Sequence, residues 1–167
     1  MSRAALKKEL AGMDSEQLRQ IILDAYSAHK QTKEYFEFFL NPDVEKLIAK
    51  KTEEMDKELR RSKWGRSKAR TTVIKGVVND VAALNPGPET VMRIMMAAVQ
   101  SIGLTDRFLD LTPALEKLAV TLAKSYTKTA DENQMADRAI RQWEEFARDE
   151  TLRASFRRFI LNSLQEG

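Results

Sequence analysis

Apolar residues along this chain recur at steps of three and four, as in Leu18, Ile21, Ile22, Ala25 and Tyr26 and again in Leu115, Leu118, Ala119, Leu122, Ala123 and Tyr126. That spacing lines one side of an α-helix, and no strand pattern competes with it. The pattern predicts an all-α fold of about eight helices in antiparallel pairs, a compact helical array or a short solenoid-like bundle, in a single domain over residues 1–167. A first short helix, from about Arg3 to Ala11, stops at Gly12. Asp14 then caps a second helix, Gln17 returns the bond, and Met13 and Leu18 have the spacing of a hydrophobic staple. This helix runs to about Lys30 and is followed by a short aromatic segment, Tyr35, Phe36, Phe38, Phe39 and Leu40.

Asn41 and Pro42 read as the cap and first-turn proline of a helix reaching about Arg61. Its thin stripe of Val44, Leu47, Ile48, Met55 and Leu59 places it on the outside. After a break near Trp64 and Gly65, Val73, Ile74, Val77, Val78, Val81 and Leu84 again keep helical spacing, up to a stop at Asn85-Pro86-Gly87-Pro88. The helix from Val91 to Ile102 is apolar nearly all round and is predicted to be central and buried. Gly103 to Leu111 is the least regular segment. Thr112 and Pro113 open a helix ending near Lys128, and Asp131 with Gln134 repeats the capping box at the start of a helix carrying Ile140, Trp143 and Phe146. A last helix carries Leu152, Phe156, Phe159 and Ile160. Leu40-Asn41-Pro42 recurs as Leu84-Asn85-Pro86, and both are read as helix openings, which keeps a solenoid of helix pairs open as the alternative.

Apolar residues make up 43% of the chain and charged ones 32%, a balance that excludes a disordered protein. The absence of cysteine excludes disulfides and thiolate metal sites. The opening Met-Ser-Arg-Ala-Ala-Leu-Lys-Lys lacks the apolar stretch of a signal peptide, and no apolar run approaches the roughly eighteen residues of a membrane span. A soluble cytoplasmic protein with no membrane partner is the expectation.

Leu-Lys-Lys-Glu-Leu from Leu6, Leu-Arg-Gln-Ile-Ile-Leu-Asp-Ala-Tyr from Leu18 and Glu-Tyr-Phe-Glu-Phe-Phe-Leu-Asn-Pro-Asp from Glu34 form a set. Over about Leu6 to Lys51 the chain resembles a family of small bacterial proteins of unknown function, and the likeness extends to Val77–Pro88. Membership would imply a bacterial, cytosolic, helical protein. It implies no catalytic residue, because the shared motifs are helix caps and core positions. The C-terminal third has no part in the resemblance.

A net charge of +3 does not by itself call for a polyanion, but one local run does change the picture. Arg60, Arg61, Lys63, Arg66, Lys68, Arg70 and Lys75 follow one another with no acidic residue between Glu58 and Asp80. Arg60 and Arg61 oppose the negative end of a helix dipole. With Ser67 capping the next helix, Lys68 and Arg70 would fall in its first turn, where the dipole disfavours cations and backbone N–H groups are ready for an anion. Trp64 would stack on a base or plug a gap between helices. Arg60, Arg61, Lys63, Trp64, Arg66, Lys68 and Arg70 are therefore the candidate anion or nucleic-acid site. The competing reading is a solvated face, or pairing with Asp131, Glu132, Asp137, Glu144, Glu145, Asp149 and Glu150, within one chain or between subunits.

No catalytic, cofactor or metal site is predicted, since the carboxylates match neither an Asp-x-Asp-x-Asp-Gly loop nor a Glu-x-x-His pair. His29 reads as a half-buried residue near a helix C-terminus, and Met92, Met95 and Met96 as core. Leu104 to Leu111 is the best candidate for a functional loop, with Asp106 and Asp110 as caps or surface groups. The leading functional expectation is an interaction or scaffold module that binds a protein partner or itself through a helical face. A nucleic-acid or phosphate binder is second. An enzyme comes third, with no mechanistic motif behind it.

Overall fold

The computed structural model describes residues 1–165. Among them are nine helices and one two-stranded hairpin, an all-α fold, and the contacts divide the chain into two compact units, Met1–Pro42 and Asp43–Gly167.

The first unit holds α1 (Arg3–Ala11), α2 (Ser15–Ala28) and α3 (Lys30–Leu40). The predicted capping box is formed: Asp14 Oδ1 accepts from the Glu16 and Gln17 N–H groups at 2.9 and 2.8 Å, and Gln17 Oε1 accepts from the Asp14 N–H at 3.1 Å. The aromatic segment after α2 is a helix of its own, which raises the count above eight. Its spacing explains this, because Tyr35 stacks on Phe39 one turn on, at 6.1 Å, while Lys30–Glu34 and Lys33–Glu37 pair along the helix. His29 is exposed, not half-buried, since its extended backbone (φ −129°) is the whole junction between α2 and α3.

The second unit runs α4 (Val44–Leu59), β1 (Ser62–Lys63), β2 (Arg66–Ser67), α5 (Thr71–Ala83), α6 (Pro88–Thr105), α7 (Pro113–Glu132), α8 (Ala136–Arg148) and α9 (Ala154–Gln165). As its apolar circumference predicts, α6 is central: α4, α5 and α7 pack on it, and Met92, Ile94, Met96, Val99 and Ile102 are buried. α8 and α9 pack on α7 and on each other. There Trp143 meets the rings of Tyr126 and Phe146 edge-on at 5.4 and 5.5 Å, and its Nε1–H donates to Thr127 Oγ1 at 3.1 Å.

α4 is not an outer helix. Met55 and Leu59 are fully buried, and so is Lys51, whose ammonium lies 3.2 Å from Glu54 and 3.8 Å from Asp80. A lysine stem that packs as hydrocarbon while its head is paired makes the stripe look thinner than it is. Asp43, not Asn41, caps α4 and accepts from the Lys46 N–H at 2.9 Å, so Pro42 precedes the cap. Asn41 has φ −145° and Asn85 is left-handed (φ 53°), so the two Leu-Asn-Pro tripeptides do not mark a structural repeat. The second predicted capping box is absent as well. The chain stays helical through Glu132, helped by the Lys128–Glu132 pair, and leaves Asp131 in the last turn of α7 before Gln134 turns left-handed.

Two helical glycines yield predictions of opposite sign. A Cβ on Gly103 would lie 2.5 Å from Cε1 of Phe156, whose ring is itself buried, whereas a Cβ on Gly76 would meet nothing within 4 Å. Gly→Ala in a helix gains about 0.5–1 kcal/mol from backbone entropy alone, and that gain is expected for Gly76→Ala. Gly103→Ala is expected to lose about 1–3 kcal/mol through overpacking. Midpoints of urea unfolding measure both.

Candidate functional site

The basic run sits on a structure its sequence did not announce. Ser62–Lys63 pairs antiparallel with Arg66–Ser67 around a two-residue turn, Trp64-Gly65. Both turn residues have positive φ, 56° and 73°, as the tightest hairpin turns require. Further bonds fix this hairpin to its surroundings. The Lys68 N–H donates to the Arg61 carbonyl at 2.7 Å, the Ser67 N–H to the Asp110 carbonyl at 3.0 Å, and the Asp110 N–H to the Gly65 carbonyl at 3.1 Å. The basic break and the irregular segment after α6, more than forty residues apart in sequence, thus form one feature.

Ser67 does not cap α5. Its Oγ accepts from the Ala69 N–H at 3.2 Å, and α5 starts only at Thr71, so Lys68 and Arg70 precede the helix instead of occupying its first turn. The anion that the helix start invites comes from the chain itself. Glu58 is buried, and its Oε1 accepts from the Arg70 N–H (2.8 Å), Arg70 Nε (3.0 Å) and an Arg61 guanidinium nitrogen (2.6 Å), while Oε2 accepts from Arg70 at 3.0 Å. The side-chain bonds from Arg70, followed by its backbone N–H and Arg61, outweigh the opposing effect of burial and hold the Glu58 carboxyl down at about 2. The same bonds push the Arg70 guanidinium up.

Of the predicted site residues, Arg61 and Arg70 are therefore joined in an internal ion cluster, and within the chain their partner is Glu58 and not the acidic stretch from Asp131 to Glu150. Glu132 pairs with Lys128, Glu144 with Arg148, and Asp149 accepts from Thr151. The side chains of Lys63, Arg66 and Lys68 are exposed and hold no ion pair among the described residues. Trp64 is no plug between helices: it is 90% exposed at the hairpin tip. Lys75 lies on the exposed side of α5.

Beside the hairpin a cleft of about 410 Å³ opens between α4 and α6, lined by Leu59, Leu104, Phe108 and Leu109 together with Arg60 and Asp56. Phe108 is 80% exposed. Sequence reading missed Glu58 and Phe108 as parts of this site. Glu58 had a signal, being the last acid before the basic run, and Phe108 lies in the segment singled out as a loop, but nothing in the sequence tied that loop to Trp64. Among the described residues no group of three or more His, Asp or Glu side chains is placed to hold a metal ion, and no helix is long and apolar enough to cross a membrane.

Residues 1–108 match the model of a family described as a family of unknown function (DUF6155). That stretch takes in the first unit, α4 to α6 and the hairpin. No curated protein and no solved structure matches the chain.

Proposed function

The chain belongs to the DUF6155 family of unknown function, and we propose that it is a cytosolic helical interaction and scaffold module that self-associates through its N-terminal unit. The observation that carries this reading is that no residue of Met1–Pro42 is buried, although the unit is rich in large apolar side chains. Ile21, Ile22 and Leu23 on α2 are 43–58% exposed, and Phe39 and Leu40 at the end of α3 are 66% and 77% exposed. Units of about 40 residues rarely bury enough surface to stand alone, and oligomerisation is one common remedy. Clustered exposed apolar side chains mark interaction surfaces. α2 and α3 pack as a helix pair joined by a single residue, and two such pairs brought face to face would make a four-helix arrangement with an interior. A second copy of the chain supplies the matching pair without any further partner.

Sedimentation equilibrium of the full chain over a wide concentration range tests this. The native protein is expected to dimerise. Ile22→Lys combined with Phe39→Lys is expected to sediment as a monomer with unchanged helicity. Ile140→Lys, at an exposed position on α8, should leave the dimer intact. A native chain that stays monomeric at the highest concentration reached would overturn the proposal.

A further inference from the structure

Beyond self-association, and independent of that surface, the geometry points to the Trp64 hairpin and Phe108 as a stacking platform for single-stranded nucleic acid, with its phosphates held by Arg60, Lys63, Arg66 and Lys68. Trp64 is 90% exposed and stands in the left-handed region with φ 56°, which is strained for a bulky side chain. The leading position of such a turn suits Asn, Asp or Gly. A tryptophan there gives up backbone stability and gains no packing in return, so its presence calls for another explanation.

Phe108 provides one. The bond between the Asp110 N–H and the Gly65 carbonyl brings together the two turns that carry the exposed rings, Trp64 adjoining Gly65 and Phe108 two residues before Asp110. Both rings are thus presented from backbone already held by hydrogen bonds, so little conformational entropy remains to be lost on binding. Two exposed aromatic rings beside a line of cations are what a sequence-tolerant single-strand binder uses, since every base has a face to stack and every nucleotide a phosphate. Lys63 and Arg66 flank the turn directly, Lys68 follows on the same hairpin, and Arg60 lines the neighbouring cleft. The Glu58 cluster sharpens the assignment: it withdraws Arg61 and Arg70 and leaves these four cations available. Asp56 and Asp110 are the carboxylates nearest in the chain to this patch that hold no ion pair among the described residues, and the four cations outnumber them.

The test is fluorescence anisotropy of labelled oligothymidylate titrated with the full chain, with the intrinsic tryptophan emission followed in parallel. Binding at low salt is expected, with a log–log salt slope of up to about −3 if all four cations meet phosphates. Bound oligothymidylate should also quench the Trp64 emission and should bind more tightly than duplex DNA, whose bases are already stacked. Trp64→Asn separates function from structure. It places a residue suited to the turn, so the protein should be at least as stable as the native one, yet affinity should fall by roughly five- to hundred-fold. Phe108→Ala should weaken binding similarly, and Lys63→Glu with Arg66→Glu should weaken it and flatten the salt slope. No binding at low salt, or a Trp64→Asn protein that binds as tightly as the native chain, would overturn the proposal. So would a glutamate-rich amphipathic helical peptide binding where oligothymidylate does not, which would make the cleft a protein-docking groove instead.

Discussion

Glu58→Ala is expected to cost about 2–3 kcal/mol of stability, because one buried carboxylate ties together the end of α4, the arm of the hairpin and the start of α5. The loss stays below that of a fully buried ion cluster, since Arg61 and Arg70 are exposed enough to rehydrate once the carboxylate is gone. The same group makes a pH prediction. Its folded pKa of about 2 lies below the ordinary value of 4.5, so its contribution is fully present above pH 4.5. It is lost as pH falls from there through about 2, as the carboxyl takes up its proton. Over that window the native protein should lose about 3 kcal/mol through this group, by the linkage between pKa and stability. Glu58→Gln should already lack that contribution at neutral pH and show a shallower acid limb. Urea midpoints measured at neutral and acid pH for the native chain and Glu58→Gln check this. Parallel acid limbs would show that the carboxylate is not what links the three elements.

Phe146→Ala is expected to have the larger effect, about 3–5 kcal/mol. Phe146 is fully buried, meets Trp143 edge-on at 5.5 Å and lies 6.4 Å from the ring of Phe156. Removing its ring empties the place where α8 and α9 close over α7, and the neighbouring rings are too large and too constrained to fill the gap by small shifts. Thermal unfolding followed by circular dichroism should show a markedly lower midpoint with the helix content of the folded state retained. Phe146→Leu should recover much of the loss by restoring volume. An alanine variant within about 1 kcal/mol of native would mean that this interface collapses far more readily than a close-packed interior allows.

How much of this was legible in the sequence depends on how local the deciding interaction is. The Asp14–Gln17 box, the Thr112-Pro113 start of α7 and the central place of α6 were all readable, because a cap acts over three residues and an apolar circumference has only one place to go. Readings failed where local signals were equivocal. Asn41 and Asp43 are both good caps, and the structure uses the second. Asp131 and Gln134 have the spacing of a box but lie where α7 has not yet ended. The buried Lys51 made a core helix look like a surface one.

The candidate site divides in the same way. Its cations, Trp64 and the helix break were visible as an unbroken basic run, since composition is a property of the sequence alone. Which cations remain free was not visible. A carboxylate three to twelve residues away and a loop more than forty residues away decide that, through the Glu58 cluster and the bonds of Asp110 to the hairpin. The sequence by itself determined the helical class, the buried central helix and the position of the charge, because periodicity, capping and charge density are local quantities. Only the tertiary structure decided which charges cancel and which turns meet, because an ion pair or a hydrogen bond between loops depends on distances that chain separation does not set.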